Sequence, residues 1–348
     1  MNGATVLRPG DRVLVTRLNY LGDVVLSLPL VDALHRAVPG LEIDYLAREP
    51  GSALLAGDSR FSQVHTLYPG ARRALSLIST LRRRRYRAVM DLYSNPRSAW
   101  LSWFTGAPIR IGGNRRGRRR LYTHPVSVAP RTPVHDVFMA YARPLGITAA
   151  AGCPHLAVAD AESSQAEATL AAAGATGTTR IGIHPGGKWP VKRWPAGKFA
   201  ELAQSARAQF DADIVLFSGP GESDATDAVR RLVGGSVHVL PELPIRHAAA
   251  VASRLDAMVA CDGGMMHVSV AVGTPTVGIF GSAESALWFP YRPFGPHRAA
   301  EIPVPCRPCH QHECPLGTTA CLNDLGAEAV VAHLADVIGA SRRARGQS

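Results

Sequence analysis

Arg12-Val13-Leu14-Val15-Thr16-Arg17-Leu18-Asn19-Tyr20-Leu21-Gly22-Asp23 runs from an apolar, β-branched stretch through a glycine turn into a helical pattern. Behind the turn, Leu26, Leu30, Ala33, Leu34 and Ala37 recur at helical spacing, which gives the helix over Gly22–Ala37 a buried stripe. A strand feeding a helix through a glycine turn opens a βαβ unit. In parallel sheets built from such units, ligand-binding groups gather at the carboxyl ends of the strands.

The same alternation continues along the chain. Leu41–Ala47, Gln63–Leu67 and Tyr86–Leu92 read as further strands, with helices at Ala71–Arg84 and Pro96–Phe104. A second series expects strands at Arg180–His184, Asp213–Ser218, Val237–Leu240, Ala257–Cys261 and Thr276–Phe280. Helices at Ala196–Gln209, Glu222–Leu232, Arg246–Ser253, Met265–Val272 and Leu325–Ile338 separate and follow them. The alanine-rich stretch Ala159–Thr179 reads as a helix closing on an interdomain linker at Gly174-Ala175-Thr176-Gly177. The expected architecture is α/β: one Rossmann-like domain over residues 1–175 and a second over 176–348. The second carries a Cys-rich loop at 303–322, overlapping the irregular stretch Pro290–Thr319, and then the terminal helix.

Composition narrows the class. With 348 residues and 46% hydrophobic content the chain supports two cores and a soluble globular protein. No apolar run reaches the roughly 18–20 residues of a membrane span. Met1–Asp11 lacks the pattern of a signal peptide, so a cytoplasmic protein is expected. The net charge of +11 is uneven: Leu81–Arg120 holds twelve arginines against one carboxylate, Asp91. Such a face attracts polyanions, or is a solvated surface in an arginine-favouring sequence whose only lysines are 188, 192 and 198. Cys306, Cys309, Cys314 and Cys321 are spaced C-x2-C-x4-C-x6-C. The first pair suits zinc, the second is looser than usual, and thiols that order a loop without metal are the expectation.

Four strand-end segments carry candidate chemistry. Gly22 lets a ligand approach the first turn, and Asp23 stands at the start of a helix, where it serves either as a cap or as a general base. His184-Pro185-Gly186-Gly187-Lys188-Trp189-Pro190-Val191-Lys192-Arg193-Trp194-Pro195 offers glycine-exposed amides and three cations, chemistry suited to a diphosphate. Its spacing is not that of a Walker A loop. Ser218-Gly219-Pro220-Gly221-Glu222 places a carboxylate where nucleotide-binding folds hold a ribose diol, or where a helix is capped. Asp262-Gly263-Gly264-Met265-Met266-His267 presents helix-start amides that suit phosphate, with Asp262 able to hold sugar hydroxyls or to cap. Asp211-Ala212-Asp213 has the D-x-D form of a metal-using transferase but precedes its strand, at the wrong edge of the sheet.

Together these segments resemble glycosyltransferase family 9, the ADP-heptose:lipopolysaccharide heptosyltransferases. The resemblance runs from about Arg12 to Ile338 and is carried by L-G-D at 21–23, H-P-G-x-x-W-P-x-K-R-W-P from His184 and D-x-G-x-x-H from Asp262. The Cys306-Arg307-Pro308-Cys309 to Cys321 run also looks like many members. It implies a GT-B fold whose two domains face a central cleft, and metal-independent transfer with inversion. By that resemblance Asp23 is the general base, and Lys192 with the amides near Gly186 and Gly187 holds the diphosphate. His184 and Lys188 join the donor side, Glu222 takes the ribose and Leu243 lies by the adenine. Asp262, Gly263, Gly264 and His267 surround phosphate and sugar, while Asn19, Tyr20, Gly22, Arg115 and Arg118 belong to the acceptor side. Gly263 stands where the family often has Ser or Thr, and Gly186-Gly187 where some relatives carry hydroxyls.

The partners so implied are an ADP-sugar donor and an anionic glycolipid acceptor. Peripheral contact with an anionic inner membrane is compatible with the arginine-rich half. No cofactor is expected and a structural zinc is not expected. Rival readings are a nucleic-acid binder using the arginine clusters, a nucleotide-sugar binder without catalysis, and a GT-B enzyme using another nucleotide sugar or a non-lipopolysaccharide acceptor. The first leaves all four strand-end segments without a purpose.

Overall fold

The computed structural model describes residues 6–235 and 237–344; of the Arg342-Arg343-Ala344-Arg345 stretch, which the sequence reads as a polar tail after the terminal helix, Arg345 lies outside the described residues. The chain divides into two compact units, Met1–Pro154 and His155–Ser348. In the first, β1 (Arg12–Thr16), β2 (Glu42–Ala47), β3 (Gln63–Thr66), β4 (Ala88–Asp91), β5 (Ile109–Gly113) and β6 (His124–Val126) form one sheet in the order β3-β2-β1-β4-β5-β6. In the second, β7 (Thr179–His184), β8 (Ala212–Leu216), β9 (His238–Val239), β10 (Ala257–Cys261), β11 (Thr276–Ile279) and β12 (His297–Ala300) run β12-β11-β10-β7-β8-β9. Every neighbouring pair in both sheets is parallel. Counted within its own unit, each sheet has the doubly wound order 3-2-1-4-5-6, which reverses direction between its first and fourth strands. The α/β class and the two Rossmann-like domains expected from the sequence are what the chain adopts.

Strands buried on both faces explain the continuous apolar runs that mark them. Ile181, Ile183, Ile214, Leu216, Val259, Val277 and Ile279 pack with Phe199 and Leu202 of the helix Ala196–Phe210, and with Leu334 and Val337 of the helix Ala327–Ala344. Among the described residues no helix is long and apolar enough to cross a membrane.

Three local expectations change. The helix over Gly22–Ala37 is two helices, Leu21–Leu26 and Leu28–Ala37. Ser27 joins them with its hydroxyl on the Val24 carbonyl and against the Tyr45 hydroxyl, and Pro29 lacks the N–H to continue the first helix. The units divide at Pro154/His155 rather than at 175/176. Helix Asp160–Ala172 belongs to the second unit: Glu162 accepts from Arg246, and Glu167 accepts from Arg180 and Arg254. Finally, the Pro290–Thr319 loop contains an edge strand, β12, paired with β11.

Candidate functional site

The first half-site lies beyond the carboxyl ends of β1 and β4, at the point where the strand order of the first sheet reverses. Tyr20, not Asp23, occupies the cap position of helix Leu21–Leu26. Asp23 is the third helical residue, and its Oδ2 accepts the Tyr20 backbone N–H at 3.2 Å and Arg17 Nη2 at 2.5 Å. Its Oδ1 is buried without a hydrogen-bond partner. Capping therefore accounts for one carboxylate oxygen and leaves the other unemployed, in a side chain 4% exposed. A buried acceptor lone pair without a donor is costly, which marks the position for a partner.

Arg17 was not among the residues the sequence singled out. It also donates to the Leu92 carbonyl at 3.1 Å, and its guanidinium lies 4.8 Å from the Tyr93 ring centre and 5.5 Å from that of Phe138. The available signal was a cation closing an apolar strand six residues before an aspartate. Asn19 Nδ2 donates to the Tyr93 hydroxyl at 3.2 Å, so the β1 and β4 turns are joined. Gly22 is buried in the helix. Beneath Tyr93, the buried Asp91 accepts the N–H groups of Tyr93 and Ser94 and the Tyr122 hydroxyl at 2.7 Å. Burial raises its carboxyl pKa against these bonds. Tyr122 reaches it across Gly112, where a Cβ would fall 2.2 Å from the ring. Arg115 and Arg118 follow β5; Arg115 is exposed, and Arg118 is half-buried with an unpartnered Nε.

The second half-site occupies the equivalent position between β7 and β10. Pro190–Lys192 forms a single 3-10 turn that brings Lys192 Nζ to 2.5 Å from Asp262 Oδ2, at the end of β10. The segment is pinned beneath: Trp194 Nε1 donates to the Leu325 carbonyl at 3.1 Å, and the Trp194 N–H to Cys261 Sγ at 3.5 Å. Cys261 in turn points at the Pro185 carbonyl, and burial pushes its thiol up to about 12. Arg193 Nε donates to the Gly187 carbonyl at 2.7 Å, closing the glycine loop on itself.

Glu222 lies against the same loop. Its Oε2 accepts the Gly219 N–H at 3.2 Å and sits 3.1 Å from His184 Nε2, while a Cβ on Gly186 would fall 2.2 Å from it. Glycine at 186 is therefore a packing requirement as well as a means of exposing an amide. Burial raises the Glu222 carboxyl, but the His184 hydrogen bond and charge outweigh it and leave the pKa lowered. Lys188 and Lys192 lie 5.2 and 5.3 Å from the Trp189 ring centre, and Trp189 stacks on His312 at 4.1 Å. Leu243 is half-buried between β9 and the helix Ile245–Ala252, away from the Lys192–Asp262 pair in sequence.

Gly263 occupies the cap position of helix Gly264–Ala271, so Asp262 is not its cap, and no side chain caps the first-turn amides. An uncapped helix start offers N–H groups and a positive dipole end to an anion. A Cβ on Gly263 would meet only the Cys261 carbonyl, at 3.6 Å, so the missing hydroxyl is not excluded by space. His267, buried on this helix, pairs Nδ1 with the Tyr291 hydroxyl at 2.7 Å. Burial, then the Lys192 charge, pushes its pKa down to about 3, which keeps the ring neutral. The unfolded ring takes its proton near 6.5 and the folded one does not. Stability should therefore fall as pH drops through that window, by at most about 5 kcal/mol at 1.36 per unit. Between about pH 7 and about pH 5 the share of this loss is about 2 kcal/mol, which urea midpoints should register, and His267→Gln should flatten the dependence. An unchanged slope in the variant would remove the assignment.

The four clustered cysteines make no disulfide: Cys306 is exposed, Cys309 and Cys314 are half-buried, and Cys321 is buried. The N–H groups of Thr319, then Leu316, surround the Cys314 sulfur and lower its pKa. Among the described residues no group of three or more His, Cys, Asp and Glu side chains is placed to hold a metal ion. Asp213 lies at the amino end of β8, bonded to the Gly177 N–H and to His238, a structural role at the edge expected for it.

Comparison with known proteins bears on both half-sites. The profile of glycosyltransferase family 9 (heptosyltransferase) matches residues 74–320. The lipopolysaccharide heptosyltransferase 1 of Pseudomonas aeruginosa is 25% identical over 332 residues, covering 87% of each chain. The solved glycosyl transferase family 9 protein of Veillonella parvula is 25% identical with a TM-score of 0.72, over 83% of this chain and 86% of that one. The Escherichia coli ADP-heptose lps heptosyltransferase II reaches a TM-score of 0.80 at 21% identity, over 94% and 98%. That likeness shows a shared GT-B fold.

Proposed function

The chain belongs to glycosyltransferase family 9 (heptosyltransferase), and from that premise we propose that it moves a heptose, or a related sugar, from an ADP-sugar to a hydroxyl of a lipopolysaccharide-core-type glycolipid. The transfer inverts the anomeric carbon and uses no metal. The first unit takes the acceptor and the second the nucleotide sugar. The names of the relatives support the donor and the acceptor class.

The observation that carries the mechanism is the unpartnered, buried Oδ1 of Asp23, held by an Oδ2 anchored to Arg17 and Tyr20. Asp23 accepts the proton of the attacking hydroxyl as the new glycosidic bond forms and the bond to the diphosphate breaks. Negative charge then grows on the departing ADP. Lys192, the glycine-loop amides and the uncapped start of helix Gly264–Ala271 stabilise it, a preorganised electrostatic role that needs no bound cation. Asp262 holds the Lys192 ammonium in place and takes a sugar hydroxyl; its sign makes it a poor phosphate ligand. Neutral His267 contributes hydrogen bonding without adding charge. Glu222, bonded to His184, holds the ribose, with Leu243 by the adenine. Arg115 and Arg118 meet anionic groups of the acceptor. The enzyme acts in the cytoplasm, peripheral to the inner membrane that carries its acceptor.

A second reading, transfer from a different nucleotide sugar, is favoured by Gly263, which supplies no hydroxyl donor while leaving room for one. Calorimetry against ADP, UDP, GDP and CDP separates the two. ADP should bind at least about tenfold tighter than the others, a difference of 1.4 kcal/mol. Preference for another nucleoside diphosphate would overturn the ADP-sugar assignment and leave the transferase fold in place.

A further inference from the structure

The proposed chemistry leaves the opposite edge of the first sheet unused. Arg12, Arg82, Arg85, Arg87, Thr105 and Gly106 help line a cavity of about 630 Å³ at the amino ends of β1, β4 and β5. At about 3.3 Å per residue, the length of β1 puts it about 16 Å from the turn that carries Asp23. Asp11 is the one carboxylate in the lining. Arg12 is paired with Glu42 at 2.6 Å, but Arg82, Arg85 and Arg87 are exposed and have no carboxylate partner among the described residues. The cavity is thus strongly cationic.

An aromatic cluster adjoins it. Arg82 Nη1 donates to the Phe104 carbonyl at 3.5 Å, and its guanidinium carbon lies 4.0 Å from where a Cβ would stand on Gly106. Phe104 ends the helix Pro96–Phe104, on which Trp100, Trp103 and Phe104 are 50%, 46% and 36% exposed. Their rings pack on one another, with Trp100–Trp103 centroids 5.8 Å and Trp103–Phe104 centroids 5.2 Å apart, both edge to face. Beside them the helix Ala71–Arg83 is exposed along most of its length, with Leu75 67% exposed. Neither helix contains a carboxylate, and together they carry Arg72, Arg73, Arg82, Arg83 and Arg97.

We propose that this edge docks on an anionic phospholipid bilayer, with Trp100, Trp103 and Phe104 entering the headgroup layer and the arginine-lined cavity taking a lipid phosphate. Tryptophan is favoured where an apolar body and a polar ring nitrogen meet the membrane–water boundary. Arginines close to an anionic surface gain attraction that decays within a Debye length. Amphipathic helices bind by this combination of buried apolar area and cationic surroundings. With Trp100 and Phe104 both edge to face with Trp103 and tilted 30° to each other, the three rings form one mutually packed apolar patch rather than a row of separate faces for successive nucleobases, which disfavours a single-stranded nucleic acid as occupant. The placement deepens the glycolipid-acceptor reading and rests on it for its purpose. Its test contains neither substrate, so its failure and that of the nucleotide titration are distinguishable.

The test is flotation of the full chain with vesicles of phosphatidylcholine alone and of equimolar phosphatidylcholine and phosphatidylglycerol. Binding to the anionic vesicles should be at least about tenfold stronger and should weaken with salt. The double substitution Trp100→Ser with Trp103→Ser, and separately Arg85→Glu with Arg87→Glu, should each weaken it by about tenfold or more. Each variant should keep the thermal midpoint of the parent chain, since the replaced side chains are exposed. Equal flotation of both double variants and the parent would overturn the proposal. So would equal binding to both vesicle types, preference for an RNA oligonucleotide, or a parent chain whose dimerisation alone responds to the tryptophan changes.

Discussion

Asp23→Asn should lower turnover by about 10²–10⁴-fold, the range that a positioned general base contributes. Asparagine keeps the shape of the side chain and a carbonyl oxygen to accept from Arg17 and Tyr20, but it gives up the basic lone pair now aimed at nothing on Oδ1. The change also breaks a buried ion pair whose partners are 12% and 4% exposed, so some stability, about 3 kcal/mol at the upper end, should go with it. Arg17 keeps the Leu92 carbonyl and its two aromatic neighbours, which limits its displacement. ADP affinity should not move, because Lys192, Glu222 and Asp262 all belong to the second unit. Arg17→Met is the companion variant. It should lose comparable stability yet retain more turnover than Asp23→Asn, because the carboxylate persists. Measuring kcat, ADP affinity and thermal midpoint for both separates base from scaffold. Turnover within a few fold of the parent chain in Asp23→Asn would end the base assignment.

How far the chain could be read in advance depended on where each residue sits in its sheet. Central strands, buried on both faces, wrote themselves as apolar runs, and Ala257–Cys261 was read to the residue. The candidate half-sites follow because doubly wound sheets put ligand groups beyond the carboxyl ends at the order reversal, where Asp23, His184 and Asp262 all lie. Three strands were missed for the complementary reason, while the edge strands β3 and β9 were read. Interior β5 holds an arginine and two glycines in five residues, β6 is three residues with a proline, and β12 hides among prolines and arginines, so none has an apolar run long enough to declare itself. The linker was misplaced because alanine-rich composition does not say which sheet a helix packs on; the Arg246–Glu162 and Arg254–Glu167 pairs decide that, across more than eighty residues. Long-range pairing is likewise why the Lys192–Asp262 contact escaped notice, since it needed two turns brought together by the fold. Arg17 is different: it lies only six residues before Asp23, and an arginine closing an apolar strand does not by itself say where its guanidinium turns.

Lys192→Met carries the second large expectation, because Lys192 has two separable duties. As the cation proposed to meet the departing diphosphate, it should cost about 10²–10³-fold in turnover when removed, the loss typical of one preorganised stabilising group. It should also weaken ADP binding. As the partner of Asp262, which is 7% exposed, it neutralises a nearly buried carboxylate, and its loss should destabilise the second unit by about 3 kcal/mol. A fall in activity alone would then be ambiguous between lost chemistry and lost fold. Pairing Lys192→Met with Asp262→Asn resolves it: removing both charges relieves the stranded carboxylate and should restore most of the thermal midpoint. Turnover should stay at or below the level of the single variant, since the leaving group still meets no cation there. Recovery of turnover in step with the midpoint would mean that Lys192 serves only to hold the β10 turn, and that the charge on the departing diphosphate is met elsewhere.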